Sequence, residues 1–348
     1  MDNIIIAIDK EAMVFIQSQH FEISTNQVID WLIFYQKPFI KLNYEDNNVE
    51  FISLDITEEG KVDIVLKVND QLIELSKVTA YWHRRGKMPL ENISKSDYSI
   101  LERDYGKNIS KEVYDNLMQE KQTLNILIDH LFASVPIKVG NPNRGTPIKL
   151  SVLLRAAKIG LKISPTMVTS KKQIMNGFRN QQGSIITKAI GENLFTNGIK
   201  NNLMFYTEEI KEEHLDRFPD NFFYTLFQKK VLKKYELRIF YFHERMYGMA
   251  IFSQGDKHTQ TDFRKYNTGI PNRNVPFKIP DDIKEKLTTL MKDMQLDTGS
   301  IDMIVDEDDN FIFLEVNPVG QFGMVSLPCN YQLEREIAHY LAYGKFLN

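Results

Sequence analysis

Residues 298–318 read TGSIDMIV, then the polar turn DEDDN, then FIFLEVNP. Two apolar runs joined by a short polar turn predict an antiparallel hairpin. Side chains alternate across a strand, so Glu315 and Asn317 are expected on one face. If the connection is the four residues 307–310, Asp302 lies directly opposite Glu315. Oxygen ligands from Asp302, Glu315 and Asn317 would then converge, as Mg²⁺ bound to a nucleotide requires.

The structural alternative for this segment is an ordinary hairpin with solvated acids. It is disfavoured because Glu315 is embedded in apolar residues, where an unpaired carboxylate is costly to bury. The turn also begins like a calcium loop, but Phe311 and Asn317 stand where an EF-hand requires Gly and Glu. We therefore interpret the turn as solvated.

Bulk composition describes a soluble globular protein of two or three domains. The chain has 348 residues, 43% of them hydrophobic and 26% charged, and a cleft between domains is expected at this length. A net charge of −3 gives no field for nonspecific nucleic-acid binding. The single cysteine, Cys329, excludes an intrachain disulfide. No signal peptide and no membrane span are predicted, so a cytoplasmic location is expected.

Periodicity divides the chain into an N-terminal mixed α/β domain at 1–120, a central α+β unit at 121–231 and a C-terminal unit at 232–348. The predicted strands of the first domain are 4–8, 49–54, 62–68 and 78–82, with helices at 27–35 and 107–132, and the sequence leaves open whether 109–131 is one helix or two. For the central unit the pattern predicts a helix at 149–159 stopped by Gly160, a strand ending at Val168, a helix from Ser170 and a strand at 184–188. Farther along, strands are predicted at 222–231, 236–241 and 247–253, then a loop at 269–280, a helix at 281–294 and the hairpin at 301–316.

Several basic residues are candidate anion ligands. Lys188 ends a strand and Lys149 opens a helix after a Gly/Pro-rich loop, although a single Lys is ordinarily a surface residue. Arg238 lies on a strand among apolar residues, which favours an inward-facing fork for phosphate or carboxylate. For the lysines of 229–234 a solvated face is the favoured interpretation. Arg264 could hold an anion or pair with Asp262, and the sequence leaves both open.

A group of motifs resembles one family. The sequence resembles the ATP-grasp ligases, and more narrowly the graspetide synthetases that mature microviridin-like peptides. The resemblance rests on 81–85 (YWHRR), 227–228 (FQ) before 236–238 (ELR), 250–254 (AIFSQ), 262–264 (DFR) and 313–322 (FLEVNPVGQF). Before residue 141, apart from YWHRR, the match is one of general character. We interpret YWHRR as a domain-interface element in preference to a direct substrate contact.

The resemblance implies an ATP-grasp fold with an N-terminal pre-ATP-grasp domain, and a nucleotide held between two α+β units. Lys149 and Lys188 would match the phosphate lysines, and Arg238 an anion-stabilising arginine. The hinge beside adenine would be Gln228, Lys229, Lys230 and Val231. Asp302, Glu315 and Asn317 would match the ligands of two Mg²⁺ ions. A precursor peptide with leader and core, and a homodimer, are further implications.

The implied chemistry fits these residue types. A carboxylate is a poor acyl donor, so transfer of the γ-phosphoryl group of ATP gives an acyl phosphate, which a Ser, Thr or Lys side chain displaces to form an ester or amide crosslink. One alternative is a ligase of the same fold that adds a free amino acid to a peptide or small acid. Another is a non-catalytic peptide-binding protein. A protein kinase is disfavoured because its motifs do not occur.

Overall fold

A computed structural model describes residues 13–46, 48–68, 70–91, 95–142, 148–191, 195–197, 202–204, 207–253 and 272–347. The strand predicted at 4–8 and the motif containing Arg264 lie outside these ranges. Contacts divide the chain into two compact units, Met1–Gly145 with Gln332–Asn348, and Thr146–Tyr331. Within the described ranges, no helix has both the length and the apolar character needed to cross a bilayer.

The secondary-structure elements follow in chain order. The first unit contains β1 Met13–Ser18, α1 Ile23–Phe34, β2 Phe39–Asn43, β3 Val49–Ile56, β4 Val62–Val68, β5 Gln71–Glu74, a 3₁₀ helix Leu75–Lys77, β6 Val78–His83, α2 Lys95–Tyr105, α3 Lys107–Phe132 and β7 Ile137–Val139. The second contains α4 Lys149–Ile159, β8 Lys162–Ile163, β9 Thr166–Lys171, α5 Lys172–Gln182, β10 Ile185–Lys188, β11 Phe195–Asn197, β12 Asn202–Met204, β13 Glu208–Glu209, α6 Glu212–Leu215, β14 Asn221–Lys229, β15 Lys233–Phe242, β16 Arg245–Phe252, β17 Arg273–Phe277, α7 Asp281–Asp293, β18 Thr298–Asp306, β19 Phe311–Asn317 and α8 Gly323–Cys329. The chain then returns to the first unit with α9 Leu333–Tyr343.

The first unit is built on a parallel sheet with strand order β2-β1-β6-β7. Its core joins β1, β6 and α3 through Phe15, Tyr81 and Phe132, with 4.4 Å between the ring centroids of Phe15 and Phe132. The antiparallel strands β3, β4 and β5 form a separate sheet. The sequence prediction did not include β1, because its second half, Gln17 and Ser18, is polar although fully buried.

A buried polar network orders the carboxyl ends of β1 and β6. The Gln17 side chain accepts a hydrogen bond from the Tyr81 hydroxyl at 2.8 Å and donates one to the Gly86 carbonyl at 3.1 Å. Beside it, Glu22 accepts hydrogen bonds from Arg84 Nη2 at 3.3 Å and from Arg85 Nε at 2.7 Å. Both arginines of the YWHRR run therefore pair with Glu22 inside the first unit.

This ion network makes a prediction about acid stability. Burial alone would raise the pKa of the Glu22 carboxyl, but the charge of Arg84 and hydrogen bonds from Ser24 and Arg85 outweigh it and lower the pKa from 4.5 to about 2. A depressed folded-state pKa contributes stability above the unfolded value, and this is lost as pH falls from 4.5 towards about 2. Glu22→Gln is expected to cost roughly 2–3 kcal/mol at neutral pH, and progressively less below pH 4.5. Denaturant titrations across this pH range measure the difference, with the exposed Glu58→Gln as control; equal losses at all pH values would contradict the assignment.

The second unit contains a four-stranded sheet, β13-β10-β14-β9, and a six-stranded sheet, β17-β16-β15-β18-β19-β8. One face of the six-stranded sheet packs on α4 and α7 through a core that includes Leu237, Ile239, Ile301, Met303, Phe313, Leu287 and Leu290. Alternation in β15 and β18 therefore turns Arg238 and Asp302 to the opposite face. This opposite face is called the polar face below.

Most predicted elements of the second unit are confirmed. The helix at Lys149–Ile159 ends at Gly160, which has a left-handed φ of 89°, and the helix from Asp281 and the terminal hairpin are also present. Two predictions are wrong in part. The region predicted as a loop at 269–280 contains β17, whose Pro276 is tolerated because β17 is an edge strand. The strand predicted to end at Val168 continues to Lys171, so α5 begins at Lys172 and not at Ser170.

The boundaries predicted at 120 and 231 concern smaller subdomains and remain predictions. Residue 120 lies within α3, which runs unbroken from Lys107 to Phe132. Residue 231 lies between β14 and β15, which belong to different sheets. Helix α2, which the sequence prediction did not include, precedes α3 in the first unit.

Candidate active site

A β-bulge in the terminal hairpin sets the direction of the acidic side chains. Met303 pairs with Phe313, but the next pair is Asp302 with Glu315, so Leu314 is an extra residue. Phe313 and Val316 consequently face the same core although they are three positions apart. If Leu314 were paired regularly, Glu315 would lie on the same face as Phe313 and point into the core. The bulge therefore keeps Glu315 on the polar face.

Three charged side chains form one row across the polar face. Arg238 on β15 pairs in register with Asp302 on β18, which pairs with Glu315 on β19. Arg238 Nε lies 3.7 Å from Asp302 Oδ1, and the two side chains are 9% and 23% exposed. Among the described residues, Arg238 Nε is a buried donor without a hydrogen-bond partner. The row thus places a buried cation with donor capacity next to two carboxylates.

Asn317 completes the predicted ligand set in the neighbouring row. It pairs with Ser300 across the hairpin, and its Oδ1 accepts a hydrogen bond from the Val319 N–H at 3.1 Å. An amide oxygen has a second lone pair that remains available to a metal. No cluster of three His, Cys, Asp or Glu side chains suited to a metal occurs in the described part of the chain. A cation here would therefore be held by two carboxylates and one amide oxygen, with open positions for water and phosphate, a donor set that suits Mg²⁺.

Helix α4 brings Lys149 to the same place. Lys149 is the first residue of α4, and its Nζ lies 3.7 Å from Glu315 Oε2. Both side chains are partly exposed, at 24% and 33%, so the ammonium could turn from the carboxylate to a ligand anion. The structure therefore brings Lys149, Arg238, Asp302 and Glu315 together, with Asn317 beside them.

The predicted hinge segment is held mainly through its backbone. Gln228 is buried and its Nε2 donates to Thr166 Oγ1 at 2.9 Å. The Lys229 N–H donates to the Pro165 carbonyl at 2.9 Å, and the Lys230 N–H to the Ser184 carbonyl at 2.8 Å. The Val231 N–H makes no hydrogen bond to a described residue. It is available to a ligand at the point where the chain passes from one sheet to the other.

A cavity of about 530 Å³ adjoins this segment. Its lining comes from the β8–β9 connection, the 229–232 segment and the β18–β19 turn. This volume lies within the usual range for small-ligand pockets, about 300–1,000 Å³. The turn itself uses Asp306 internally, because its carboxylate accepts hydrogen bonds from the Asp308 and Asn310 N–H groups at 3.1 and 2.8 Å.

Lys188 and the neighbouring lysines have different environments. Lys188 ends β10 and pairs with Leu226 in the four-stranded sheet. Lys233, predicted on a solvated face, is instead buried at 9% exposure and forms an ion pair with Glu236. That prediction was wrong because Lys233 opens β15, whose Glu236 lies on the polar face and also accepts from Ser253 Oγ at 3.3 Å. Residues i and i+3 of a regular strand lie on opposite faces, and the register shift between Lys233 and Tyr235 allows this pair to meet, so the sequence carried no local signal for it.

Comparisons with known proteins are consistent with this architecture. No protein-family model matches the sequence, and no curated protein matches it. Among solved structures, a RiPP-associated ATP-grasp ligase of Chryseobacterium gregarium in complex with ADP and a leader and core peptide is 22% identical, with a TM-score of 0.73 over 96% of this chain and 97% of that one. The macrocyclase MdnC of Microcystis aeruginosa MRC, bound with the precursor peptide MdnA, is 24% identical, with a TM-score of 0.70 over 96% of this chain and 100% of the other.

A third match lies outside peptide maturation. D-alanyl-alanine synthetase A of Vibrio cholerae O1 biovar eltor str. N16961 is 11% identical, with a TM-score of 0.55 over 96% of this chain and 98% of that one. The matches to all three proteins extend over nearly the full length of both chains, and they are consistent with the two sheets of the second unit. The chain therefore has the ATP-grasp fold.

Proposed function

We propose that the chain is an ATP- and Mg²⁺-dependent ligase that crosslinks a ribosomally made precursor peptide. It activates Asp or Glu side chains of the peptide as acyl phosphates, and Ser, Thr or Lys side chains displace the phosphate to form esters or amides. The observation that carries the proposal is the row of Arg238, Asp302 and Glu315 on one sheet face, with Lys149 3.7 Å from Glu315. The two peptide-maturing proteins matched above supply the substrate class by their structural likeness.

We assign a role to each residue of the row, and to Lys149 and Asn317 beside it, from the charge of its side chain. Asp302, Glu315 and Asn317 would hold Mg²⁺, and the resemblance implies two ions, which offset the charge of the triphosphate when bound. Arg238 can direct its buried Nε–H toward the carboxylate or phosphoryl oxygens that gain charge during transfer. Lys149 can exchange Glu315 for a phosphate oxygen when the carboxylate is occupied by a metal.

The adenine contacts are assigned to the predicted hinge segment, 228–231. The Val231 N–H and the carbonyl groups of the 228–231 segment would recognise the adenine edge, while the side chains of Gln228 and Lys230 are engaged within the protein, Lys230 with Glu209 at 2.7 Å. Lys188 and Arg264 are proposed to contact phosphate and substrate anions. We further propose a precursor with leader and core, a homodimer and a cytoplasmic location.

Mass spectrometry tests the proposal against a ligase that adds a free amino acid. The purified chain is incubated with ATP, Mg²⁺ and a candidate precursor encoded beside it. Crosslinking removes one water per bond, whereas ligation adds the mass of a residue. Loss of water only in the presence of ATP supports the proposal. ATP-independent binding of the peptide without any mass change would favour a non-catalytic peptide-binding protein.

Arg238 offers a prediction that separates charge from shape. Arg238→Met is expected to reduce crosslinking roughly 10²-fold or more, because it removes a preorganised donor from the row. Arg238→Lys should restore activity only partly, since an ammonium lacks the planar fork. Initial rates of water loss measure the effect, and the exposed Arg217→Met is the matched control. Full activity of Arg238→Met would exclude a role for this guanidinium in the reaction.

A further inference from the structure

A second cavity lies in the first unit, away from the row on the hairpin. Its volume is about 710 Å³, and it is bounded by one face of α3, by Lys87 and by Pro142. Lys87 comes soon after the carboxyl end of β6, and Pro142 soon after that of β7. Ligands of open α/β sheets bind at the carboxyl ends of parallel strands. The cavity therefore stands where a parallel sheet ordinarily receives a ligand.

Two buried acceptors point to a missing hydrogen-bond donor in this cavity. Asn125 and Asp129 are 7% and 6% exposed, and both line the cavity. They are four residues apart on α3, so they share one helical face. The Oδ1 atom of each is buried and has no hydrogen-bond partner among the described residues. Buried polar atoms are nearly always paired, so two adjacent orphan acceptors mark the position of a donor ligand.

The charge environment of Asp129 favours a positive ligand. Asp129 lies in the last turn of α3, where the negative end of the helix dipole disfavours a carboxylate and favours a cation. Burial raises the pKa of Asp129 to about 7, although the charge of Lys87 partly opposes this. Other described titratable groups nearby are His130 on the same helix and Tyr81, whose pKa is raised by burial and, in addition, by the Asp129 charge. No described cation lies within salt-bridge distance of Asp129.

The remaining lining suits an aliphatic stem. Ile126 and Leu127 are 52% and 38% exposed and form apolar wall beside Asn125. Lys and Arg side chains bury their methylene groups on such surfaces while the charged end meets an acceptor. A metal ion fits less well, because Asp129 is the only carboxylate among the described residues of the lining and hard cations require several oxygen ligands.

We propose that this cavity binds a Lys or Arg side chain of the peptide substrate, with Asp129 and Asn125 accepting hydrogen bonds from its ammonium or guanidinium group. The identity of the ligand as part of a peptide substrate rests on the proposed function. The site itself rests on the two orphan acceptors and the helix terminus. Binding draws the Asp129 carboxyl to its ionised form, so a proton is released near neutral pH and affinity rises with pH through this range.

The experiment uses the full chain without nucleotide and four probes of defined chemistry. The N-acetyl N-methylamides of arginine and lysine are titrated in parallel with those of citrulline, the neutral isostere of arginine, and glutamate. Backbone and side-chain amide NMR signals of the chain report binding at about pH 8, where Asp129 is ionised, and at about pH 5.5, where it is protonated. Asp129→Asn is the test variant, and Asp115→Asn, an exposed Asp on the same helix, is the matched control.

Support requires saturable shifts at Asn125 and its neighbours with the arginine or lysine probe at the higher pH, and weaker binding at the lower pH. Asp129→Asn should weaken this binding tenfold or more, the scale of a charge-assisted hydrogen bond, and Asp115→Asn should not. The proposal is overturned by equal binding of citrulline, by preferential binding of the glutamate probe, or by the absence of saturable shifts with both cationic probes. Because no ATP is present, such a failure leaves the crosslinking reaction to be judged separately by mass.

Discussion

Replacing Glu315 by Gln, or Asp302 by Asn, is expected to abolish ATP-dependent crosslinking while the fold survives. Each change removes an anionic oxygen from the proposed ligand set, and Mg²⁺ binds neutral amides far less well than carboxylates. Neither side chain belongs to the core; both lie partly exposed on the polar face. Each carboxylate also faces a cation, Asp302 the buried Arg238 and Glu315 the partly exposed Lys149, so the melting temperature should fall only modestly. Water loss from the peptide and a thermal melt measure the two effects.

A control on the same hairpin makes this test specific. Glu307→Gln changes an exposed carboxylate in the turn that joins the same two strands, and it should leave both activity and melting unchanged. Any residual activity of the Asp302 and Glu315 variants should require a much higher Mg²⁺ concentration than the activity of the parent does. Near-normal dehydration of the peptide by either variant would refute the site assignment.

The second large effect is expected at Lys188, whose charge is proposed to act on phosphate oxygens. Lys188→Met keeps the aliphatic stem and removes the charge, so folding should change little while ATP-dependent activity falls roughly 10²- to 10³-fold. Lys188→Arg should restore activity only in part, because a planar fork cannot reproduce a compact ammonium. The measurements are initial rates of water loss, and melts with and without ATP and Mg²⁺.

The exposed Lys158→Met on α4 provides the matched control, since it removes a Lys charge from the same unit. ATP should raise the melting temperature of this control as it does that of the parent, and raise that of Lys188→Met less. If Lys188→Met binds and turns over ATP like the parent, Lys188 is a surface lysine, and the correspondence of the central unit with the ATP-grasp ligases must be redrawn.

The hairpin could be read from the sequence because its signals are local. Its four-residue connection at 307–310 and the pairing of Asp302 with Glu315 both agree with the prediction. The bulge at Leu314 could not be predicted, because an extra residue leaves no mark in a run of apolar side chains. Between the turn and the bulge the strands pair one residue out of the predicted register, with Val305 opposite Phe311. The extra residue Leu314 restores the predicted register, so Asp302 still pairs with Glu315.

Other features depend on contacts distant in sequence. The strand β1 contains Gln17, whose side chain can be buried because it is hydrogen-bonded to the Tyr81 hydroxyl on β6 and to the Gly86 carbonyl that follows β6. The sequence pattern did not predict the edge strand β17 because it contains Pro276, and proline is excluded from central strands but tolerated in edge strands. The cavity acceptors Asn125 and Asp129 are polar residues in a helical pattern, and nothing in that pattern distinguishes a buried polar side chain from a solvated one.

The bulge also affects how this hairpin can change in length. Insertion or deletion of one residue in a strand ordinarily exchanges its two faces and would turn Glu315 into the core. Leu314 is already outside the pairing, so a homologue that lacked it could pair regularly and still present Glu315 opposite Asp302. The hairpin thus contains one position at which a residue can be lost while Glu315 still pairs with Asp302.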